Sequence, residues 1–495
     1  MGKNLYVTTA IPYVNGTPHI GNALDYLLAD IWTRYQMQNG RAVRFQIGTD
    51  EHGNKNAAKA GELGLTPQAY VDQAHAPFKA LAEKIGSGYT DFIRTSDINH
   101  KAAVQYIWQQ LKPHIYKDIY EGWYCTGCEQ FYTDKEVEAT SGKCPNHQTP
   151  YEHLKEENYY LRASDFTEQI RTAIESNKMQ ILPEFRKKEI LELIKDGVKD
   201  VSISRPRKSL SWGVPVPDDP EQVMYVWIDA LSNYITVLGY PNQPDWQEFW
   251  PAELQVVGKD ILRFHAIIWP AILLGLGLNL PKKILAHGFI NVGGAKISKS
   301  IGNGIDPSQI IDEYGLDAFR YFFARHIPTQ EDGDFTWEKF ETAYNTELAN
   351  DLGNLVSRVA NMLTRYQAGV IGDAPSGEHD MDPYRQAMEH LEFNKALDET
   401  WNMVRALNQY IERVKPWEIA KRRETDTDAE DHLTEVLAHC AGNLLQIADL
   451  LVPFMPSTAA AIHTIFDTGV ITPPEAVLFP KKYLHTAEPS QQKTA

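Results

Sequence analysis

Cysteine is scarce in this chain: four among 495 residues, three of them between positions 125 and 144. Four thiols so placed do not make the disulfide framework of a secreted scaffold, and a cytoplasmic protein is expected. Cys440 stands alone in the apolar helical stretch LAHCAGNLL. Long apolar runs are missing too. The longest, Phe264 to Leu280, includes His265, Pro270 and Asn279, is short for a membrane span, and fits a buried core helix. The opening MGKNLYVTTAIPYV has one lysine and no apolar segment ending in small residues, so no signal peptide is read there. Gly2 is not a myristoylation site, because Tyr6 stands where Ser or Thr is needed. Positive charge is in deficit, with 48 Lys and Arg against 65 Asp and Glu and a net charge of −17. A nucleic-acid partner would therefore have to meet local basic patches on an acidic body. No repeat, no low-complexity tract and no Gly-x-x-x-x-Gly-Lys phosphate loop is present.

What is present is enough apolar material, 43% of the residues, for several cores, and the length suggests two to four domains. NLYVTTA (4–10) reads as a strand. Residues 19–39 carry Ile20, Leu24, Leu27, Leu28, Ile31 and Tyr35 at helical spacing, and AVRFQIG (42–48) reads as the next strand. Strand, helix, strand is a βαβ unit and predicts a parallel sheet. From about 113 the pattern breaks into Tyr-, Gly- and Cys-rich turns. ELQVVG (253–258), a helix over 260–277 and KILAHGFI (283–290) then restore the alternation.

The expected fold is thus α/β: a Rossmann-type doubly wound parallel sheet split by an insertion, followed by an all-α helical bundle. The first half of the sheet domain covers 1–112, the insertion 113–219 and the second half 220–291, with a Gly/Lys loop region over 292–340. The bundle covers 341–482, with helical periodicity in 342–366, 384–412 and 429–451, and 483–495 is a tail.

Two stretches carry chemistry. In NGTPHIGNALDYLLADIW (15–32), Thr17 is a plausible N-cap with Pro18 at the first helical position, and the helix N-terminus favours an anion. Gly21 would let a ligand approach the backbone, and His19 would add a directed donor. A well-capped helix with an incidental histidine explains the same residues. In GGAKISKSIGN (293–303), Lys296 and Lys299 alternate with Ser298 and Ser300 among glycines, a device for closing on a polyphosphate.

Paired in this order and spacing, His-Ile-Gly-Asn and Lys-Ile-Ser-Lys-Ser resemble the two signature motifs of the class I aminoacyl-tRNA synthetases. The resemblance implies that both flank ATP phosphates, with His19, Gly21, Asn22, Lys296 and Lys299 binding ATP and with His19, Lys296 and Lys299 catalytic. One departure is visible, since Asn22 stands where the family usually has a second histidine. AIPYVNG (10–16), GTDEHG (48–53), YVWIDALSNY (225–234) and GKDILRFHAIIWPA (258–271) narrow the likeness to the methionyl-tRNA synthetases, over nearly the whole chain. It implies that Gly258 and Asp260 lie near the adenosine and that Asp50 meets the substrate's α-ammonium. Ile11, Tyr13, Trp227, Ala230, Leu231, Tyr234, Ile261, His265 and Trp269 would then surround the methionine side chain. An aromatic pocket suits a polarizable thioether.

CTGC (125–128) and CPNH (144–147) give Cys-x2-Cys and Cys-x2-His separated by fifteen residues. Cys125, Cys128, Cys144 and His147 thus have the spacing of a closed, structural zinc knuckle, one ion per chain; a disulfide or unligated thiols are the alternative. In the bundle Asn354 and Arg358 stand at i, i+4 on one helix face, and Trp417 follows Pro416 at a helix start. By resemblance these three read the anticodon of methionine tRNA, initiator and elongator alike, beside a basic cluster of Arg405, Arg413, Lys415, Lys421, Arg422 and Arg423.

The expected activity is ATP- and Mg2+-dependent activation of L-methionine to methionyl-adenylate, followed by transfer to tRNA, by a monomer with no membrane association. The monomer is expected because the chain ends soon after the bundle, without the C-terminal module that some relatives use to dimerise. Three rivals are weighed against it: another class I synthetase or adenylyl transferase, a non-catalytic RNA-binding relative, and a zinc-dependent redox or hydrolytic enzyme, which the closed four-ligand set disfavours.

Overall fold

The computed structural model describes residues 4–126, 130–145, 148–244, 246–296, 304–372, 379–467, 469–471 and 476–482. Its centre is a six-stranded sheet of β1 (Leu5–Thr9), β2 (Val43–Thr49), β3 (Asp91–Arg94), β4 (Gln180–Leu182), β5 (Leu254–Gly258) and β6 (Lys283–His287). The strand order is β3-β2-β1-β5-β6-β4, every neighbouring pair parallel. All five residues of β1 are buried, as a central strand covered on both faces requires. The order reverses between β1 and β5, and the crevice beyond the carboxyl ends of strands at such a reversal is where doubly wound sheets bind ligands.

The crossover from β1 to β2 is helix α1 (Ile20–Gln38), which buries Ile20, Leu24, Leu27, Leu28, Ile31 and Tyr35 against the sheet. The stretch 113–219 is not one uninterrupted excursion. Ile115–Cys125 and Glu152–Leu161 pair antiparallel in a four-stranded side sheet, but Gln180–Leu182 returns as β4 and pairs with β6. The three residues of β4, one polar and two apolar, are too few to register as a strand in the sequence pattern. Helix α2 (Val226–Thr236) then leads into the second half of the sheet.

Beyond β6, Ile290–Val292 and Ala295–Lys296 precede α3 (Leu316–Arg325), and Gly333–Phe335 follows it to complete a three-stranded sheet ahead of the helical region. That region contains α4 (Asn354–Gln367), α5 (Phe393–Val414), α6 (Ala429–Leu451) and α7 (Pro456–Phe466). Two expected helices are broken. A π-helical segment, Tyr344–Gly353, occupies the first half of 342–366, and Leu391, with φ of +58°, divides 384–412 ahead of α5. One continuous core runs from β1 and α1 through Phe319, Phe322 and Phe323 of α3 to Leu355, Trp401 and Leu437 of the helical region. Among the described residues, no helix is long and apolar enough to cross a membrane.

Candidate active site

Helix α1 begins at Ile20, and its N-cap is His19 rather than Thr17, so Pro18 lies outside the helix. The cap is reciprocal. His19 Nδ1 accepts the Gly21 N–H at 3.0 Å, and Asn22 Oδ1 accepts the His19 N–H at 3.1 Å. Both side chains are thereby oriented. Since Nδ1 accepts, a neutral His19 carries its proton on Nε2, and Asn22 keeps its amide N–H groups for another acceptor. The space at Gly21 is taken by the histidine itself: a Cβ there would stand 2.8 Å from His19 Cε1.

These residues open onto a cavity of about 570 Å³ at the β1/β5 reversal. His19, Gly21, Asn22, Gly258 and Asp260 line one part of it, and Ile11, Tyr13, Asp50, Trp227, Ala230, Leu231, Tyr234, Ile261 and His265 line the rest. With His287–Ile290, which also reach it, five separate segments of the sequence meet at one hole. At Gly258, the end of β5, a Cβ would lie 2.7 Å from Asp260 Oδ1 and would push that carboxylate aside.

Asp50 ends the run that β2 begins. Its N–H donates to Pro12 O at 2.9 Å, and its carbonyl accepts from Asn56 Nδ2 at 3.3 Å. Next to it, Glu51 is buried and gripped by Arg94 at 2.8 and 2.9 Å and by the Thr49 hydroxyl at 2.9 Å.

The apolar side of the cavity is built by α2 and a π-helical turn, Phe264–Ile268. Trp227 stacks on Phe264 with ring centroids 3.7 Å apart and planes 7° from parallel. His265 Nδ1 donates to Ile261 O at 2.9 Å, so its Nε2 accepts from the Tyr234 hydroxyl at 2.7 Å. Burial pushes the imidazole down to about 4, with the bond to Ile261 acting weakly the other way, so this polar pair is neutral. Trp269 departs from expectation. It does not line the cavity but stands fully buried one layer behind, its ring 5.8 Å from that of Tyr234.

The sequence reading passed over Asp25 and His287. Asp25 is one turn along α1 from Gly21, on the face that reaches the cavity, and His287 ends β6. His287 Nε2 bonds Asp25 Oδ1, and Nδ1 bonds Gly288 O at 2.8 Å. Burial opposes charge on this ring, but Asp25 outweighs it and raises the pKa. Helical spacing and the strand-end rule were the available signals.

Of the second motif, Lys296 ends the strand Ala295–Lys296, which pairs with Ile290–Val292, and Lys299 lies outside the described residues. The turn between these strands is made by Gly293 and Gly294, with φ of +59° and +78°. Gly294 N–H bonds Asp334 at 2.7 Å, and Lys259 bonds Asp332 at 2.6 Å, which anchors the base of the loop.

Of the metal-type residues, Cys128 and His147 lie outside the described residues. Cys125 and Cys144 are fully buried in one small cluster with Val137 and Tyr151. Cys144 opens a tight turn in which Gln148 N–H bonds its carbonyl at 2.7 Å. Two thiols converging on a tight turn fit a knuckle site, while among the described residues no three potential ligands come together.

In the helical region, α4 packs against the helix Pro416–Arg422. Asn354 is exposed and Trp417 is half-buried. Arg358 bonds Glu412 at 2.5 Å and Asn408 at 2.9 Å. The expected basic cluster is partly neutralised, since Lys421 pairs with Glu418, Arg422 with Asp426 and Arg423 with Glu430.

Comparison with known proteins places this geometry. The family model described as tRNA synthetases class I (M) matches residues 5–154 and 147–360, and that of the anticodon-binding domain of tRNA ligase matches 382–493. The methionine–tRNA ligase of Caldanaerobacter subterraneus subsp. tengcongensis is 42% identical over 92% of this chain and 73% of its own length. That of Bacillus subtilis is 40% identical over 92% of the chain and 72% of its length. Among solved structures, Mycobacterium tuberculosis methionyl-tRNA synthetase in complex with methionyl-adenylate superposes with a TM-score of 0.89 at 33% identity, covering 97% of this chain and all of that one. With this match the signature pair, the split parallel sheet and the helical region find one explanation: the chain belongs to the methionine–tRNA ligase family of class I aminoacyl-tRNA synthetases.

Proposed function

We propose that this chain activates L-methionine with ATP in the β1/β5 cavity and transfers the methionyl group to methionine tRNA. One observation carries the reading: a reciprocally capped helix N-terminus, a carboxylate at Asp50 and an aromatic wall converge on a single cavity in a methionine–tRNA ligase family member. The methionine carboxylate attacks the α-phosphorus of ATP. An O–P bond forms, the bond to the bridging oxygen breaks, and pyrophosphate departs with that electron pair. A terminal ribose hydroxyl of the tRNA then attacks the mixed anhydride's carbonyl, giving the ester and AMP.

Little covalent chemistry falls to the protein, so positioning and charge stabilisation dominate. His19 Nε2–H and the α1 N-terminus face the phosphates, with Lys296 and Lys299 closing from the Gly-rich loop. Asn22 donates through its amide where most relatives have a histidine. Asp50 holds the ammonium, Gly258 and Asp260 the adenosine, and Trp227, Ala230, Leu231 and Tyr234 the thioether. His265, neutral and spent on Tyr234 and Ile261, offers the side chain no charge. Mg2+ on the phosphates would offset their charge.

Cys125, Cys128, Cys144 and His147 would hold one structural zinc ion. Asn354, Arg358 and Trp417 would read the anticodon of initiator and elongator tRNA, with Arg358 leaving Glu412 to do so. A cytoplasmic monomer completes the reading. The test is amino-acid-dependent ATP–pyrophosphate exchange across the twenty amino acids. Exchange with methionine, abolished in Lys299→Ala, is the expected result; exchange with a different amino acid, or with none, would overturn the reading.

A further inference from the structure

Asp229 lies in the first turn of α2 and is held by two histidines from other elements. His52 Nδ1 is 2.7 Å from Oδ2, and His100 Nε2 is 2.9 Å from Oδ1. His100 Nδ1 in turn lies 2.7 Å from Thr236 Oγ1, at the other end of α2. The group is dry: Asp229 and His100 are each 1% exposed and His52 is 2% exposed. The His52 ring stands edge-on to Trp212 at 5.1 Å, and Trp212 Nε1–H donates to Glu51 O at 2.7 Å.

Burial works against ionisation of Asp229, but His52 and then His100 outweigh it, and the carboxyl stays well below its ordinary range. A carboxylate can only accept, so both imidazoles donate to it, His52 through Nδ1–H and His100 through Nε2–H. A buried charged group of this kind adds less stability than apolar side chains of the same volume would. What it supplies is direction, because each bond is short, charge-assisted and geometrically specific.

None of the three lines the cavity, yet each is tied to something that does. His52 is two residues after Asp50, and Asp229 sits between Trp227 and Ala230 on α2. His100 comes from the helix Ile98–Leu111, which follows β3 and packs on α2. Methionine's ammonium and thioether are a fixed number of bonds apart. The distance from Asp50 to the α2 wall is therefore a quantity the site must hold constant.

We propose that His52, Asp229 and His100 are positioning residues that set this distance, and with it amino-acid affinity and selection by side-chain length. The inference rests on Asp50 as the ammonium partner and α2 as the side-chain wall, as argued under the proposed function. Glu51, gripped by Arg94, Ser96 and Thr49, fixes the chain directly after Asp50, and the carboxylate–histidine group fixes it one residue further on through His52.

The experiment compares His52→Ala with His52→Asn in the full chain, by ATP–pyrophosphate exchange. An asparagine amide reproduces the Nδ1–H donor, whereas alanine removes it. Alanine should raise KM for methionine about tenfold or more, as expected for a lost bond to a charged partner, while KM for ATP moves by less than about twofold. Asparagine should recover most of the loss. Selection of methionine over ethionine, one carbon longer, should narrow in the alanine variant alone. Asp229→Asn, which keeps shape but removes charge, should show the same KM pattern. An unchanged methionine KM would overturn the inference. So would a parallel rise in both KM values that asparagine does not rescue, or failure of both the alanine and the Asp229→Asn variants to fold. Failure of the underlying reading looks different: Asp50→Asn would then leave methionine KM unchanged, or the unaltered protein would not exchange with methionine.

Discussion

Arg320 of α3 and Asp30 of α1 form an ion pair at 2.7 Å with neither side chain exposed to solvent. Arg320 also donates to the carbonyls of Phe454 and Pro453 at the start of the α7 approach and to Ile85, and Asp30 accepts from Arg34 and from the Gly88 N–H. The helix that His19 caps is thus bolted through one guanidinium to the helical region. Asp30→Ala leaves that guanidinium buried and uncompensated, so it should cost about 3 to 5 kcal/mol of stability. Urea denaturation measures it, and a loss below about 1 kcal/mol would refute the role given to the pair.

Gly21→Ala places a methyl 2.8 Å from His19 Cε1 and forces the ring off its capping position. The predicted result is a fall in kcat of exchange of at least about tenfold, with methionine KM little changed, because the phosphate side alone is disturbed. Steady-state kinetics with methionine and ATP varied separately decide this.

His265 makes stability depend on pH. In the unfolded chain the imidazole takes up a proton near its ordinary 6.5, whereas in the fold it resists until about 4. The unfolded state therefore binds more protons between those values. This contribution is complete above 6.5 and is lost as pH falls towards 4, by about 2 kcal/mol between pH 7 and pH 5. Comparing unfolding free energies at the two pH values in the protein and in His265→Gln isolates it; an equal drop in both would exclude His265 as the source.

Metal analysis of the purified protein should find about one zinc per chain, as a closed four-ligand set requires. Cys144→Ser should lose the metal and lower the melting temperature. Retention of full metal content by that variant would place the ion elsewhere.

Trp417→Ala should raise KM for tRNA in aminoacylation by about tenfold or more, the worth of one stacked base, while leaving exchange untouched. Equal loss in both assays would show that the half-buried indole serves packing instead.

The two signature motifs, the βαβ unit with α1 and the helical character beyond 340 were legible because each is local. Helical spacing, strand composition and short motifs act over a few turns of chain. β4 was not legible, because three residues acquire strand character only by pairing with β6. The cap at His19 was misplaced by two residues for a similar reason: Thr17–Pro18 is an ordinary helix start, and only the folded backbone brings His19 Nδ1 onto Gly21.

The amino-acid sequence by itself determined which residue sets this protein carries: a helix start with His19 and Gly21 suited to an anion, a Gly-rich lysine loop, a Cys-x2-Cys and a Cys-x2-His at knuckle spacing, and an aromatic set suited to a thioether. Tertiary structure alone decided which of those groups meet. Trp269 moved behind the cavity, Asp25 and His287 entered it, and Asp229 came to lie between two histidines from separate elements. The Asp229–His100, Asp229–His52 and Asp25–His287 bonds join residues 129, 177 and 262 positions apart. Long-range packing and burial set them, and no periodicity along the chain encodes either.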